Sequence, residues 1–298
     1  MPEPNDACDL LEADAHTGAL ADLPTLLTEQ EGKVHLMVTE QAERQHSSHS
    51  VCHLGPSNEF PRGSFATLGE NIQLPTPELC FALLGKQEPL PSLMRLGMEL
   101  CGHYRKAADG TRYFRDPLVT AERLNSYLEE LPSIRGIRGA RAAASYVLDD
   151  SYSPRESVIA LMCTLPTRVG GYQLPKPTMN MPLSLNDDAQ LIAGQRHAAG
   201  DLYWEEQGLI VEYDGDEAHM YRRAHDVERR DGLEKMGLRV ISITTAQARD
   251  FERLDAVLRM VGDQFRSRKR AVSPGVTKKR RELYEQLVKY NWLACCAL

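Results

Sequence analysis

From Thr76 to about residue 165 apolar positions recur at helical spacing, and beyond Tyr172 they condense into short strand-like runs. Ahead of both, Val34-His35-Leu36-Met37-Val38 reads as one buried strand. Gln45 to Arg62 is rich in Ser, His, Pro and Gly and carries no period of either kind, and Asn71-Ile72-Gln73-Leu74 reads as a brief strand. Thr76-Pro77-Glu78-Leu79 predicts a helix start, with Thr as cap and Pro in the first turn, and Leu79, Phe81, Ala82, Leu83 and Leu84 form its apolar face. Further helices are expected over Ser92 to Tyr104, over Leu118 to Leu131 with Thr120 as cap and Pro132 as stop, and over Arg135 to Leu148. These make residues 31 to 148 a mainly helical domain with a few short strands, behind an acidic, loosely ordered segment at 1 to 30.

A second domain, 149 to 265, opens at Ser153-Pro154-Arg155-Glu156. Serine at the cap, proline at the first helical position and glutamate three after the cap predict a capping box, and the helix runs to Pro166. After the Gly170-Gly171 turn, an extended segment leads to Leu185. Asp201-Leu202-Tyr203-Trp204 and Leu209-Ile210-Val211-Glu212-Tyr213 are then two strands joined by a tight polar turn. A helix from Arg222 to Met236, a strand Arg239 to Ile243 and a helix from Arg249 to Phe265 complete an α/β arrangement. Residues 266 to 298 read as a basic linker followed by a short helix from Glu282 to Trp292.

Composition changes this picture little. The 298 residues are 42% hydrophobic, enough for two cores, and no stretch approaches the roughly 20 apolar residues of a membrane span. The acidic N-terminus lacks the pattern of a secretory signal, so a cytoplasmic location is expected. Seven cysteines without a Cys-x-x-Cys pair do not form a disulfide or zinc framework. The net charge of -7 conceals a polarity, with no Lys or Arg before Lys33 and a strongly basic stretch from Arg266 to Arg281. Such a stretch supplies salt-sensitive contacts to phosphates.

The candidate chemistry lies between Asp201 and Thr244. A hairpin brings Asp201 and Glu212 towards one end of a sheet, and Asp214 shares a strand face with Glu212. Clustered carboxylates repel one another unless a cation neutralises them, and hard oxygen ligands with open positions suit Mg²⁺ (or Mn²⁺). A blander reading stays open for each residue: Glu156 as part of a capping box, Asp201 and Asp214-Gly215 as turn residues, His219 as a surface histidine, and Asp226 with Arg230 as an exposed ion pair.

The order Asp201, Glu212-Tyr213-Asp214-Gly215, His219, Asp226-x-x-Arg229-Arg230-x-x-Leu233-x-x-x-Gly237 and then a strand resembles the PD-(D/E)XK nuclease superfamily. The nearest branch is that of the very-short-patch repair endonucleases, which carry a V-E-x-D-G signature. The resemblance covers about residues 153 to 265 and implies a restriction-endonuclease-like fold of helix, mixed sheet and helices. It implies metal ligation by Asp201, Glu212 and Asp214, with Glu156 reaching in from the first helix and His219 assisting proton transfer or phosphate contact. One departure is that Asp214 stands at the superfamily's lysine position.

Nucleic-acid contacts are expected from Arg222, Arg223, Arg229, Lys278, Lys279, Arg280 and Arg281. The N-terminal half, in TPELCFALL and LMRLGMELCGHY, resembles regulators of abortive-infection toxin–antitoxin systems, which implies a protein partner or a target-choosing role. The expectation is therefore a metal-dependent DNA endonuclease. A DNA-binding regulator that keeps the fold without catalysis is the alternative, and a plain structural scaffold is a third.

Overall fold

The computed structural model describes residues 34–38, 41, 50–54, 60–68, 72–106, 111–215, 223–266 and 272–289. Strand β1 (Val34–Val38) pairs in parallel with β2 (Ser50–Leu54), and β3 (Phe65–Leu68) pairs antiparallel with β4 (Ile72–Pro75). β2 falls in the stretch expected to lack period. Helix α1 (Pro77–Leu84) starts where Thr76-Pro77 predicts, but the Thr76 hydroxyl makes no capping bond. Helix α2 (Leu90–Leu100) ends earlier than expected, because Tyr104 opens a hairpin of β5 (Tyr104–Lys106) and β6 (Arg112–Phe114). In α3 (Ala121–Glu130), Thr120 does cap, accepting from Arg123 N at 3.1 Å. Helix α4 (Ile137–Ala144) follows.

Helix α5 (Pro154–Thr164) leads by way of β7 (Thr178–Ser184), α6 (Asp187–Ala193) and β8 (His197–Trp204) to β9 (Leu209–Asp214). Helix α7 (Arg223–Lys235) and β10 (Arg239–Thr244) come next, and the sheet order is β10-β9-β8-β7. β7, β8 and β9 run antiparallel, while β10 lies parallel to β9. The molecule is thus mixed α/β with a mixed four-stranded sheet.

The run Leu209-Ile210-Val211 is continuous because β9 is buried on both faces. Leu209 and Val211 join the main core with α5 and β10, and Ile210 joins a smaller cluster with Ala189, Ala193 and Leu233 of α6 and α7. Alternation then turns Glu212 to the Ile210 side, towards α7. The helix expected over Arg249 to Phe265 is α9 (Phe251–Asp263), and a short helix that was not expected, α8 (Thr245–Arg249), precedes it, with Asp250 closing α8 and capping α9 through Arg253 N at 2.9 Å.

The main core crosses the boundary expected at residue 148. Buried side chains from α1 to α4 and from α5, β8, β9, β10 and α9 form one contiguous cluster. Arg95, buried in α2, donates to the Pro154 carbonyl at 2.9 Å and ties the helical half to the start of α5. Helix α10 (Pro274–Val288) also belongs to this core through Leu283, Tyr284 and Leu287. It begins well before the expected Glu282. Gly170, with φ of 104°, admits it closely: a Cβ there would meet the Lys279 carbonyl oxygen at 2.3 Å. Among the described residues no helix is long and apolar enough to cross a membrane.

Candidate functional site

The β8–β9 ladder ends at Leu202–Val211, and one step further Asp201 and Glu212 stand opposite each other. The same row extends to Ser242, the partner of Glu212 on β10, and to Asn180, which lies between the paired residues Met179 and Met181 of β7. Side chains in one such row lie close together across a sheet. Here the row replaces ladder bonds by side-chain bonds. Asp201 Oδ2 accepts from Tyr213 N at 2.6 Å, so the carboxylate takes over a backbone donor that the neighbouring strand has given up. Gly200 permits this close fit, because a Cβ there would meet Ile210 Cγ2 at 2.7 Å.

Glu212 is only 7% exposed. Arg229, one helical turn from the core residue Leu233 on α7, meets it in bidentate fashion: Nη1 donates to Oε1 at 2.7 Å and Nη2 to Oε2 at 2.9 Å. Arg229 Nη1 also reaches the Ala199 carbonyl at 2.9 Å. Two parallel charge-assisted bonds are the strongest arrangement these groups can form. Arg230, on the same helix, donates to Ser242 Oγ.

Glu156 departs from the expected capping box. Ser153 Oγ does accept from Glu156 N at 3.2 Å. The Glu156 carboxylate does not return the bond to the cap residue; Oε2 accepts instead from Tyr152 N and from Asn180 Nδ2, both at 2.9 Å. Asn180 holds φ of 47°, a conformation asparagine tolerates better than most residues, and also donates to the Asp150 carbonyl at 2.7 Å. An Asn inside the otherwise apolar strand sequence TMNMPLS was the only sign of this residue.

Three carboxylates, from β8, β9 and α5, therefore share a neighbourhood with one arginine. Burial, then the negative charge of Glu156 and, less strongly, of Glu212, push the Asp201 carboxyl up to about 8, against the bond from Tyr213 N and the attraction of Arg229. Among the described residues no hydrogen bond reaches Asp201 Oδ1 or Glu156 Oε1.

Asp214 ends β9 exposed, with its carbonyl accepting from Thr245 Oγ1 at 3.0 Å. Asp201, Glu212 and Glu156 come together as expected; His219 and Arg222 lie outside the described residues, as do the side chains of Arg223 and Asp226. Arg229, expected at phosphates, is committed to Glu212. Among the described residues no group of three or more His, Cys, Asp or Glu side chains stands in an arrangement that could hold a metal ion. The donor chemistry, hard oxygens in excess over cations, suits a divalent ion, but both oxygens of Glu212 are taken by Arg229.

In the basic run at the C-terminus, Arg280 departs from expectation. Arg280 is 2% exposed. Its Nη1 donates to Asp255 Oδ1 at 3.1 Å, and its guanidinium lies 3.8 Å from the centre of the Tyr172 ring. It is an anchor of α10 and has no access to a phosphate. Arg281 pairs with Glu252 and lies over the Phe251 ring, and Lys279 Nζ donates to the Arg168 carbonyl at 3.2 Å. Lys278, Lys279 and Arg281 stay exposed, and Lys278 makes a long 3.9 Å pairing to Glu282. Helical phase decides this, since adjacent residues in a charge run project to different sides.

No family model, curated protein or solved structure matches this chain.

Proposed function

We propose that the chain is a metal-dependent phosphodiesterase acting on nucleic acid, with the row Asn180–Asp201–Glu212 and Glu156 as its centre and a restriction-endonuclease-like fold around it. One observation carries this reading: three carboxylates from separate elements are gathered at one end of a sheet and, among the described residues, Arg229 is the arginine that meets them. Unbalanced buried charge is costly, and folds that keep it generally use it. The element order of helix, three antiparallel strands with α6 between the first two, helix and parallel strand supports the same reading, as does Asp214 two positions after Glu212.

Asp201, Glu212 and Asp214 or Glu156 are the residues that would hold Mg²⁺ or Mn²⁺. Such an ion, when bound, polarises a phosphodiester and lowers the pKa of a water. Asn180 orients Glu156, and Tyr213 N orients Asp201. Arg229 pairs with both oxygens of Glu212, and its guanidinium is of a shape that also matches phosphate.

The experiment is nicking of supercoiled plasmid with Mg²⁺ or Mn²⁺, comparing wild type with Glu212→Ala. Metal-dependent cleavage lost in the variant is the expected result. The bidentate hold of Arg229 on Glu212 favours a second reading, a non-catalytic DNA-binding regulator. DNA binding without metal-dependent cleavage would establish that reading over the first.

A further inference from the structure

Outside the carboxylate row, the β5–β6 hairpin exposes two aromatic rings in a basic segment. Four of the twelve residues from Tyr104 to Arg115 are Arg or Lys and one is acidic, in a chain whose net charge is -7. Its two outer aromatic rings are in water: Phe114 is 66% exposed and Tyr113 45%. Each ring carries a guanidinium, with Arg112 lying 4.8 Å from the centre of Phe114 and Arg105 5.3 Å from that of Tyr113. Arg105 and Tyr113 are register partners and Arg112 and Phe114 are two apart on one strand, so both faces of the hairpin present a ring beside a cation.

The base of the hairpin is fixed and lies beside the carboxylates. Tyr104 is buried, with its hydroxyl 2.9 Å from Ser157 Oγ on α5. His103 stacks on Tyr152 with ring centres 4.5 Å apart, and its Nε2 is 3.1 Å from Asp150 Oδ1. Tyr152 N and Asn180 both bond Glu156, and Asn180 bonds the Asp150 carbonyl. A continuous set of contacts thus links the hairpin's root to the candidate site.

We infer that the β5–β6 hairpin is a binding arm for single-stranded nucleic acid, stacking bases on the exposed rings of Phe114 and Tyr113 within a segment of positive net charge. Exposed rings next to cations suit unpaired bases, whose faces are available, whereas a duplex keeps its bases stacked on one another. Positive charge gives complementarity to phosphate irrespective of sequence. The inference deepens the phosphodiesterase reading by naming its substrate class. It rests on that reading for the fate of the strand, not for its binding.

The test is fluorescence anisotropy with the full chain in EDTA, using labelled oligodeoxythymidine, oligouridine of equal length and a blunt duplex. Salt-sensitive binding of either single strand, tighter than the duplex, is expected. Phe114→Ala and Tyr113→Ala should each weaken it roughly tenfold, Phe114→Trp should retain it, and Leu191→Ala, on the exposed surface of α6, should leave it unchanged. Thermal melts matching wild type keep any loss assignable to the ring.

Tighter binding of the duplex, or unchanged affinity in both ring variants, overturns the inference. Glu212→Ala serves to separate the two proposals, because it should bind as wild type while losing cleavage. A wild type that binds single strands through the rings but never cleaves sinks the phosphodiesterase alone.

Discussion

Two buried carboxylate clusters in this molecule are built to opposite balances. Around Asp255, one carboxylate meets Arg280 at 3.1 Å and Arg259 at 3.0 Å and also accepts from the Tyr172 hydroxyl, so every oxygen is engaged and positive charge is in excess. Around Asp201, the carboxylates of Glu156 and Glu212 add to a third, and Arg229 is spent on Glu212. The first cluster fastens α10 to α9 and to the Tyr172 segment. The second holds a surplus of negative charge that folding does not require. Burial alone therefore does not distinguish the two clusters; the balance of charge within burial does.

The largest effect expected from breaking this contrast is in the balanced cluster. Arg280→Ala leaves Asp255 and the Tyr172 hydroxyl under-satisfied in the core and should cost about 3 kcal/mol, read from urea denaturation. Arg229→Ala should cost less, about 2 kcal/mol, because Arg229 and Glu212 retain some access to water. Adding Mn²⁺ should recover part of that loss if the ion takes the vacated oxygens, as a rise in melting temperature would report.

Asp201→Asn should act in the other direction. The folded protein raises the Asp201 carboxyl from its ordinary 3.8 to about 8, so it binds that proton more tightly than the unfolded chain does. Stability that is complete below the ordinary value is then lost as pH rises towards 8. Melting in EDTA should fall across this window in wild type, and Asp201→Asn should flatten the slope, since its amide oxygen still accepts from Tyr213 N. A wild-type profile that is flat from pH 4 to 8 would contradict the charge surplus. The smallest effect belongs to Lys278→Ala, two residues before Arg280, where a long exposed pairing should move the melt by under about 0.5 kcal/mol.

The sequence carried the strands and the acids of the candidate site, because β9 declares itself as a continuous apolar run and charged residues at its end stand out. Arg229 was visible too, but as a phosphate ligand. Its partner lies 17 positions away on a strand, and only packing of α7 on the Ile210 face brings them together. Asn180 depended on a backbone conformation that no periodicity encodes. Within the KKRR run, Arg280 alone departs from expectation, because spacing reveals which residues share a side, not which side is covered. The β5–β6 hairpin, with strands of three residues each, was too short to give an alternating signal and was given no element beyond the helix expected to end at Tyr104.

The placement of α10 bears on how the protein can be divided. Leu283 and Leu287 of this helix, together with Tyr284 against Phe251, seal the seam where the helical half and the sheet half adjoin. A fragment cut at the end of α9 would lay that seam open to solvent and leave Asp255 without Arg280. Stop codons introduced between residues 266 and 280 should therefore yield insoluble material or chains rapidly degraded in the host, even though every residue of the carboxylate row is still encoded.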